Sequence, residues 1–201
     1  KLKDAGYDFL EPGVGDLACG TSGKGRLPTI GDILEKMEDI FTIKDLVNER
    51  ILVTSGPTAE FIDPVRCITH RSSGKMGYAI AKIARRRGAE VILITGQTHL
   101  PQPRNDIEVV EVVTACEMRD AVMEHYRACT VIIKAAAVAD FKCSTENCNK
   151  IKKKGDESTM LLELTKNPDI IGELGMLKEN RILVGFAAET ENLLENASEK
   201  L

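Results

Sequence analysis

The chain is expected to fold as an α/β protein, a Rossmann-like three-layer domain with a mostly parallel sheet and a small flap. Three observations predict this. Short apolar runs of strand length recur between segments of helical period, the order strand–helix–strand repeats, and the first such strand breaks into a turn of small residues that leads to a helix. Such alternation needs crossover helices on the faces of a parallel sheet and places a site at the carboxyl ends of the strands.

Residues 1–41 differ in character from the rest. They hold a glycine-dense run, Cys19-Gly20-Thr21-Ser22-Gly23-Lys24-Gly25-Arg26-Leu27, then a short helix from about Thr29 to Phe41 with Ile30, Ile33, Leu34 and Met37 on one side. About forty residues are too few for an independent core, so this piece reads as the tail of a larger domain. Residues 42–50 are polar with scattered apolar positions and read as a connector.

The organising stretch follows. Ile51 to Thr54 is a buried strand that ends in Ser55-Gly56-Pro57-Thr58, and a long polar loop then reaches Ser72-Ser73-Gly74-Lys75-Met76-Gly77. A helix over 75–87 carries apolar residues at Met76, Ala79, Ile80, Ile83 and Ala84. It ends at Gly88 after Arg85-Arg86-Arg87, cations suited to a helix C-terminus. Strands are expected over 91–95, 109–113 and 131–135. Thr114 and Glu117 form a capping box for a helix reaching about Ala128. Beyond Asp140, Lys150–Lys154 and the alternating Met160-Leu161-Leu162-Glu163-Leu164 suggest a hairpin or flap. Asn167 is expected to cap a helix with Pro168 first in it, Ile182–Phe186 to be a buried strand, and Glu191 to start a last helix.

Composition narrows the function classes. The 201 residues suffice for one substantial core with room for a second small unit, and 43% hydrophobic with 29% charged residues is ordinary for a soluble domain. A net charge of -4 gives no global attraction to nucleic acid or to an anionic membrane, so any phosphate recognition must be local. No apolar run approaches the roughly 20 residues that span a bilayer. The six cysteines, at 19, 67, 116, 129, 143 and 148, show no CxxC spacing, and Cys143 with Cys148 makes a poor zinc pair. Reduced thiols and a cytoplasmic location are the expectation. The start at Lys1 without Met and the helix ending at Leu201 suggest that both ends are cut.

A strand, loop and helix of this kind can direct free backbone N–H groups and the positive end of a helix dipole at an anion. It is not a Walker A loop, because Met76 follows Lys75 where a hydroxyl is needed. Nor is it the dinucleotide fingerprint, because no Gly-x-Gly-x-x-Gly directly follows the strand. On residues alone, phosphate binding and an ordinary glycine-rich helix entry stay equally open. The same holds for Asp140, an acid that suits ribose hydroxyls or magnesium but equally a turn cap. A lysine run is more often a solvated face, a loop histidine surface, Asn167 a plain N-cap and Phe186 core.

The motifs themselves add to this. GPTAEFIDPVRCITHRSSGKMG, residues 56–77, resembles the opening of phosphopantothenate cysteine ligase, the synthetase half of a bifunctional coenzyme A biosynthesis protein. The resemblance continues through AAAVADF (135–141), KIKK (150–153), NPDI (167–170) and VGFAAET (184–190), five blocks in order over about three quarters of the chain. It implies that 4'-phosphopantothenate attacks the α phosphate of CTP to give an acyl cytidylate and pyrophosphate, after which the amine of L-cysteine displaces CMP. It also implies Mg2+ beside CTP and a homodimer whose protomers share the site.

The resemblance assigns residues as well. Ser72, Ser73, Gly74 and Lys75 would receive phosphate, and Lys150 and Lys200 would contact the nucleotide phosphates. Ala135, Ala136 and Ala137 would allow close backbone approach, with Asp140 on ribose or as the magnesium ligand. Asn167, Pro168, Asp169 and Ile170 form the helix start used beside the nucleotide, and Phe186 lies against cytosine. His70 stands where the family usually has an asparagine implicated in the second half-reaction. An amide donates a hydrogen bond at any pH, whereas imidazole donates only from a protonated ring nitrogen.

The run ACGTSGKGR (18–26) resembles the substrate clamp of phosphopantothenoylcysteine decarboxylase, the other half of the same bifunctional protein. There the cysteine, here Cys19, would protonate an enethiol intermediate. The FMN-binding residues and catalytic histidine are expected upstream of Lys1, so this chain should not decarboxylate by itself; a higher homo-oligomer would form through the decarboxylase domain. The implied organisation is a decarboxylase remnant over 1–41, a linker over 42–50 and the ligase domain over 51–201. Two other readings stand beside it: a nicotinamide-dependent oxidoreductase, against which the missing fingerprint counts, and a non-catalytic nucleotide-binding regulator.

Overall fold

In the computed structural model, residues 1–103, 106–152 and 159–187 are described, and the chain divides into two units, Lys1–Lys44 and Asp45–Leu201. In the first unit, strands β1 (Gly13–Asp16) and β2 (Ser22–Arg26) form an antiparallel hairpin with Cys19 in its turn. The glycine-dense run is therefore a hairpin, although glycine disfavours strands. Part of the reason is close packing: a Cβ at Gly15 would lie 2.7 Å from Arg26 Cδ. Helix α1 (Ile30–Phe41) starts at the N-cap Thr29, whose hydroxyl accepts from Asp32 N at 3.1 Å while the Asp32 carboxylate accepts from Thr29 N at 3.2 Å. No residue of α1 is buried.

The second unit carries β3 (Arg50–Ser55), β4 (Ala59–Asp63), β5 (Arg66–Thr69), α2 (Lys75–Arg86), β6 (Glu90–Thr95), β7 (Glu108–Glu111), α3 (Ala115–His125), β8 (Val131–Lys134), β9 (Phe141–Cys143), β10 (Leu164–Lys166), α4 (Ile170–Met176) and β11 (Ile182–Gly185). Five strands make one parallel sheet in the order β11-β8-β3-β6-β7. Along β3 the side chains alternate between two cores. Leu52 joins Ile92, Ile94, Met118, Val122, Ile132, Ile170 and Leu174, whereas Ile51 and Val53 join Val91, Leu93, Ala81 and Ala84. Helix α2 thus covers one face and α3 with α4 the other, which is why β3, β6 and β8 read as unbroken apolar runs. The expected three-layer Rossmann-like fold is present.

Several expectations need correction. The polar stretch after Thr58, expected as a loop, is the antiparallel hairpin β4–β5. Its polarity is inverted: Glu60 and Asp63 are buried while Phe61 and Val65 are exposed, so the pattern of an amphipathic strand is hidden. On α2 the residues turned to the core are Gly77, Ala81 and Ala84, and Met76 and Ile83 are exposed, because only small side chains fit so close to β3. The helix after Thr114 stops at His125 and finishes as a 3₁₀ turn, Tyr126–Ala128.

Asn167 does not cap α4. Asp169 is the N-cap, accepting from Gly172 N at 3.1 Å, and Ile170 rather than Pro168 is the first helical residue. The flap strand is β10 pairing with β9, prolonged by a bond from Ser144 N to Glu163 O at 2.9 Å, so Met160–Leu162 lie before the paired segment, and Leu161 is exposed. Among the described residues β11 is an edge strand instead of a buried one, with Ile182 and Phe186 exposed. The helix expected from Glu191 lies outside the described residues.

Candidate functional site

In sequence order the sheet runs outward from β3 in both directions, so β3 and β8 flank the point where the strand order reverses, the place where open α/β sheets bind ligands. The carboxyl ends of these two strands, Ser55-Gly56-Pro57 and Ala135-Ala136-Ala137, continue side by side. Ala135 N donates to Thr54 O at 3.2 Å, Ala136 N to Thr54 Oγ1 at 3.2 Å and Ala137 N to Gly56 O at 2.9 Å. Thr58 N returns a bond to Ala137 O at 3.2 Å. Backbone at the mouth of this crevice is thereby fixed.

Helix α2 begins against that same mouth. Ser55 Oγ donates to Gly74 O at 2.9 Å, and a Cβ at Gly77 would sit 2.5 Å from Ser55 Cβ. Gly74 is the N-cap with φ 73°, a left-handed conformation open to glycine, and a Cβ there would meet Thr98 Cγ2 at 2.7 Å. No side chain among the described residues caps the helix. Ser72 Oγ and Ser73 Oγ accept from Gly74 N and Lys75 N only at 3.4 Å, long for hydrogen bonds, so these donors keep capacity for an anion. Lys75 is exposed at the first turn.

A second group of residues gathers at the exit of β8. Ala139 N donates to the buried Thr58 hydroxyl at 3.0 Å, Asn167 Nδ2 donates to Ala139 O at 2.8 Å, and Asn167 N donates to Asp140 O at 2.8 Å. Asp140 is exposed on this braced backbone, and Asn167 Oδ1 is buried with no hydrogen-bond partner among the described residues. Pro168, Asp169 and Ile170 follow directly. Phe186, exposed, extends β11 past Gly185, which pairs with Lys134 at the end of β8.

His70 is exposed immediately after β5, and Lys150 is exposed beside the half-buried Ile151. Cys19 belongs to the first unit. Its thiol is exposed, lies 3.2 Å from Thr21 Oγ1, and is held below the usual thiol range by that hydrogen bond. Lys200 lies outside the described residues. Among the described residues no three or more His, Cys, Asp or Glu are grouped to hold a metal ion. Asp140 therefore has no partner ligands there, and the described residues do not by themselves form a magnesium site.

Sequence reasoning passed over Thr58, Glu60, Asp63 and Arg66. All four brace the site: Glu60 Oε1 accepts from Ala115 N at the start of α3 at 2.9 Å, and Asp63 and Arg66 engage Ile151. The signal was available in Asp63-Pro64-Val65-Arg66, an Asx-Pro pattern of a tight turn.

Residues 46–201 match the family described as the DNA/pantothenate metabolism flavoprotein C-terminal domain. The chain is 47% identical to the coenzyme A biosynthesis bifunctional protein CoaBC of Bacillus subtilis (strain 168), over 100% of this chain and 50% of that protein. It is 44% identical to the protein of the same name from Vibrio cholerae serotype O1, over 98% of this chain and 49% of that one. The chain thus spans about half the length of the curated relatives it matches. A crystal structure of the C-terminal domain of a coenzyme A biosynthesis bifunctional protein CoaBC superposes with a TM-score of 0.69 at 45% identity, covering 79% of this chain and 74% of that one. No helix among the described residues is long and apolar enough to cross a membrane.

Proposed function

Since the chain belongs to the DNA/pantothenate metabolism flavoprotein C-terminal domain family, we propose that it catalyses the CTP-dependent ligation of 4'-phosphopantothenate to L-cysteine. The observation that carries this reading is the reversal of strand order at β3 and β8, where an uncapped helix start faces the crevice edge. A carboxylate forms an amide only after gaining a leaving group. Its oxygen attacks the α phosphate of CTP, pyrophosphate departs, and the cysteine amine then attacks the acyl carbon and expels CMP.

Each task has a residue in this reading. The N–H groups at Gly74 and Lys75, the Lys75 ammonium and Lys150 offset the charge of the triphosphate. Ala135–Ala137 leave room for the nucleotide against backbone, and Asp140 accepts from ribose hydroxyls. Asn167 braces the backbone before Asp140 through Ala139 O, and Phe186 offers a ring face to cytosine. His70 donates to the oxyanion of the second step. Lys200 is a further phosphate contact, the active form is a homodimer, and Cys19 serves decarboxylation in a flavin-containing protein.

The test is calorimetry with CTP, ATP and NAD, followed by separate assays of pyrophosphate and CMP release. Pyrophosphate should appear with CTP and 4'-phosphopantothenate alone, and CMP only after cysteine is added. NAD binding with no pyrophosphate would replace this reading with an oxidoreductase, and CTP binding without turnover would leave a regulator.

A further inference from the structure

Asp63 is a fully buried carboxylate for which the chemistry above has no use. It ends β4 and opens the turn to β5. Its Oδ1 accepts from Val65 N and Arg66 N, both at 2.9 Å, and its Oδ2 accepts from Arg66 Nε at 3.0 Å, Arg66 Nη2 at 2.5 Å and Ile151 N at 3.1 Å. The last bond spans 88 positions of sequence. Arg66 Nη2 also donates to Ile151 O at 3.1 Å. One Asp–Arg pair therefore takes both the N–H and the C=O of Ile151, as a neighbouring strand would.

The same segment is fastened once more. Asn147 N donates to Ile62 O at 3.1 Å, so residues 147–151 are tied at both ends to the consecutive residues Ile62 and Asp63. Lys150 adjoins the second tie. Its side chain is exposed and makes no hydrogen bond or ion pair among the described residues. A turn alone does not call for a buried charge, because asparagine makes an Asx turn as well as aspartate. Asparagine in place of Asp63 would satisfy Val65 N and Arg66 N, but its NH2 would then face the guanidinium and Ile151 N–H, donor against donor. The charge is thus matched to Arg66 and Ile151.

We propose that Asp63, acting with Arg66 on the backbone of Ile151, is the positioning residue that holds Lys150 for the nucleotide triphosphate. A lysine is a point charge on a flexible four-carbon stem, so a fixed backbone lowers the ordering cost when phosphate arrives. The inference rests on the assignment of Lys150 to the triphosphate proposed above.

The experiment uses the intact protein and four forms: wild type, Asp63→Asn, Lys150→Gln and the double variant. Pyrophosphate release is followed as CTP is varied, and CMP release as cysteine is varied. Asp63→Asn is expected to lower kcat/KM for CTP by about tenfold, the loss of a charge-assisted bond, while KM for cysteine stays within about twofold. The double variant should be no worse than Lys150→Gln alone. Losses that multiply, with Lys150→Gln damaging by itself, would overturn the positioning role and leave the function standing. A silent Lys150→Gln would instead remove the triphosphate assignment and the inference with it. Should Asp63→Asn not fold, Arg66→Lys, which keeps a cation beside Asp63 but cannot reach Ile151 O in the same way, carries the same comparison with Lys150→Gln.

Discussion

Ala139 N donates to Thr58 Oγ1 at 3.0 Å across 81 positions of sequence, joining the exit of β3 to the exit of β8. The carbonyl of the same Ala139 accepts from Asn167 Nδ2 at 2.8 Å, so side chains from two separate segments hold both polar groups of one small residue. Asp140 is placed by this brace and makes no part of it with its carboxylate. Thr58 is fully buried, and its hydroxyl is the acceptor that keeps Ala139 N–H from being orphaned.

Thr58→Val is therefore expected to destabilise the domain by about 1–3 kcal/mol, the cost of a buried donor left without a partner, while Thr58→Ser is expected to be far milder. Urea unfolding of the two variants measures this, with the slope of the transition unchanged. The bond from Thr69 Oγ1 to Thr58 O at 2.7 Å uses backbone and should survive in both.

Gly96 is held by contact rather than by conformation. A Cβ there would lie 1.9 Å from Pro57 O, a backbone atom just beyond β3 that cannot rotate away. Gly96→Ala should force Pro57 and Gly96, the exits of β3 and β6, apart and cost about 3 kcal/mol or more. A drop in the thermal midpoint together with weaker nucleotide binding is the expected result. Full stability in this variant would show that the two strand exits can separate at little cost.

Acid stability should report on Asp63. The Arg66 guanidinium holds its carboxyl well below the usual carboxylate range, with the N–H groups of Val65, Ile151 and Arg66 adding to the effect against the cost of burial. A lowered folded-state value means that the stabilisation is fully present above the unfolded pKa of about 3.9 and is lost as pH falls below it toward the folded value. Asp63→Asn should therefore be less stable than wild type at pH 7, and the gap should narrow below about pH 4. Denaturant midpoints at pH 7, 5 and 3 test the sign, and a gap that widened on acidification would contradict it.

The centre of the sheet was legible because β3 and β6 are buried on both faces and β8 is close to it. Ile51–Val53, Val91–Ile94 and Val131–Ile133 could hardly be anything else, and the capping box at Thr114 and Glu117 is present in the structure. The hairpin β4–β5 was not legible, since its inward residues, Glu60 and Asp63, are charged and meet partners from distant segments, Ala115 and Ile151. Polarity patterns report burial in apolar surroundings only. The N-cap was misplaced for a similar reason: Asn167 has the right side chain for a cap, but its amide is drawn to Ala139 O, and Asp169 takes the helix. In the candidate site, the helix entry at Gly74 was visible from local spacing, whereas Ala135–Ala137 came through the resemblance. The braces Thr58 and Asp63 act over 81 and 88 positions, a separation that no local pattern encodes.

His70 offers a test of chemistry instead of packing. It is exposed directly after β5, in the segment that leads to Gly74, and it stands where the resembled family usually has asparagine. Loss of one oxyanion donor typically costs on the order of 10²–10³ in rate, and a well-placed imidazole can recover part of that. His70→Asn separates the two half-reactions. Pyrophosphate release, which precedes the oxyanion, should change little. Cysteine-dependent CMP release should rise, because an amide always presents an N–H donor whereas a neutral imidazole presents one from only one of its two ring nitrogens. Solvent exposure of His70 makes a folding effect small, so equal thermal midpoints for the two forms are the control. If CMP release falls instead, the imidazole is the better catalyst in this chain, and the second step then depends on its ring nitrogen in place of an amide.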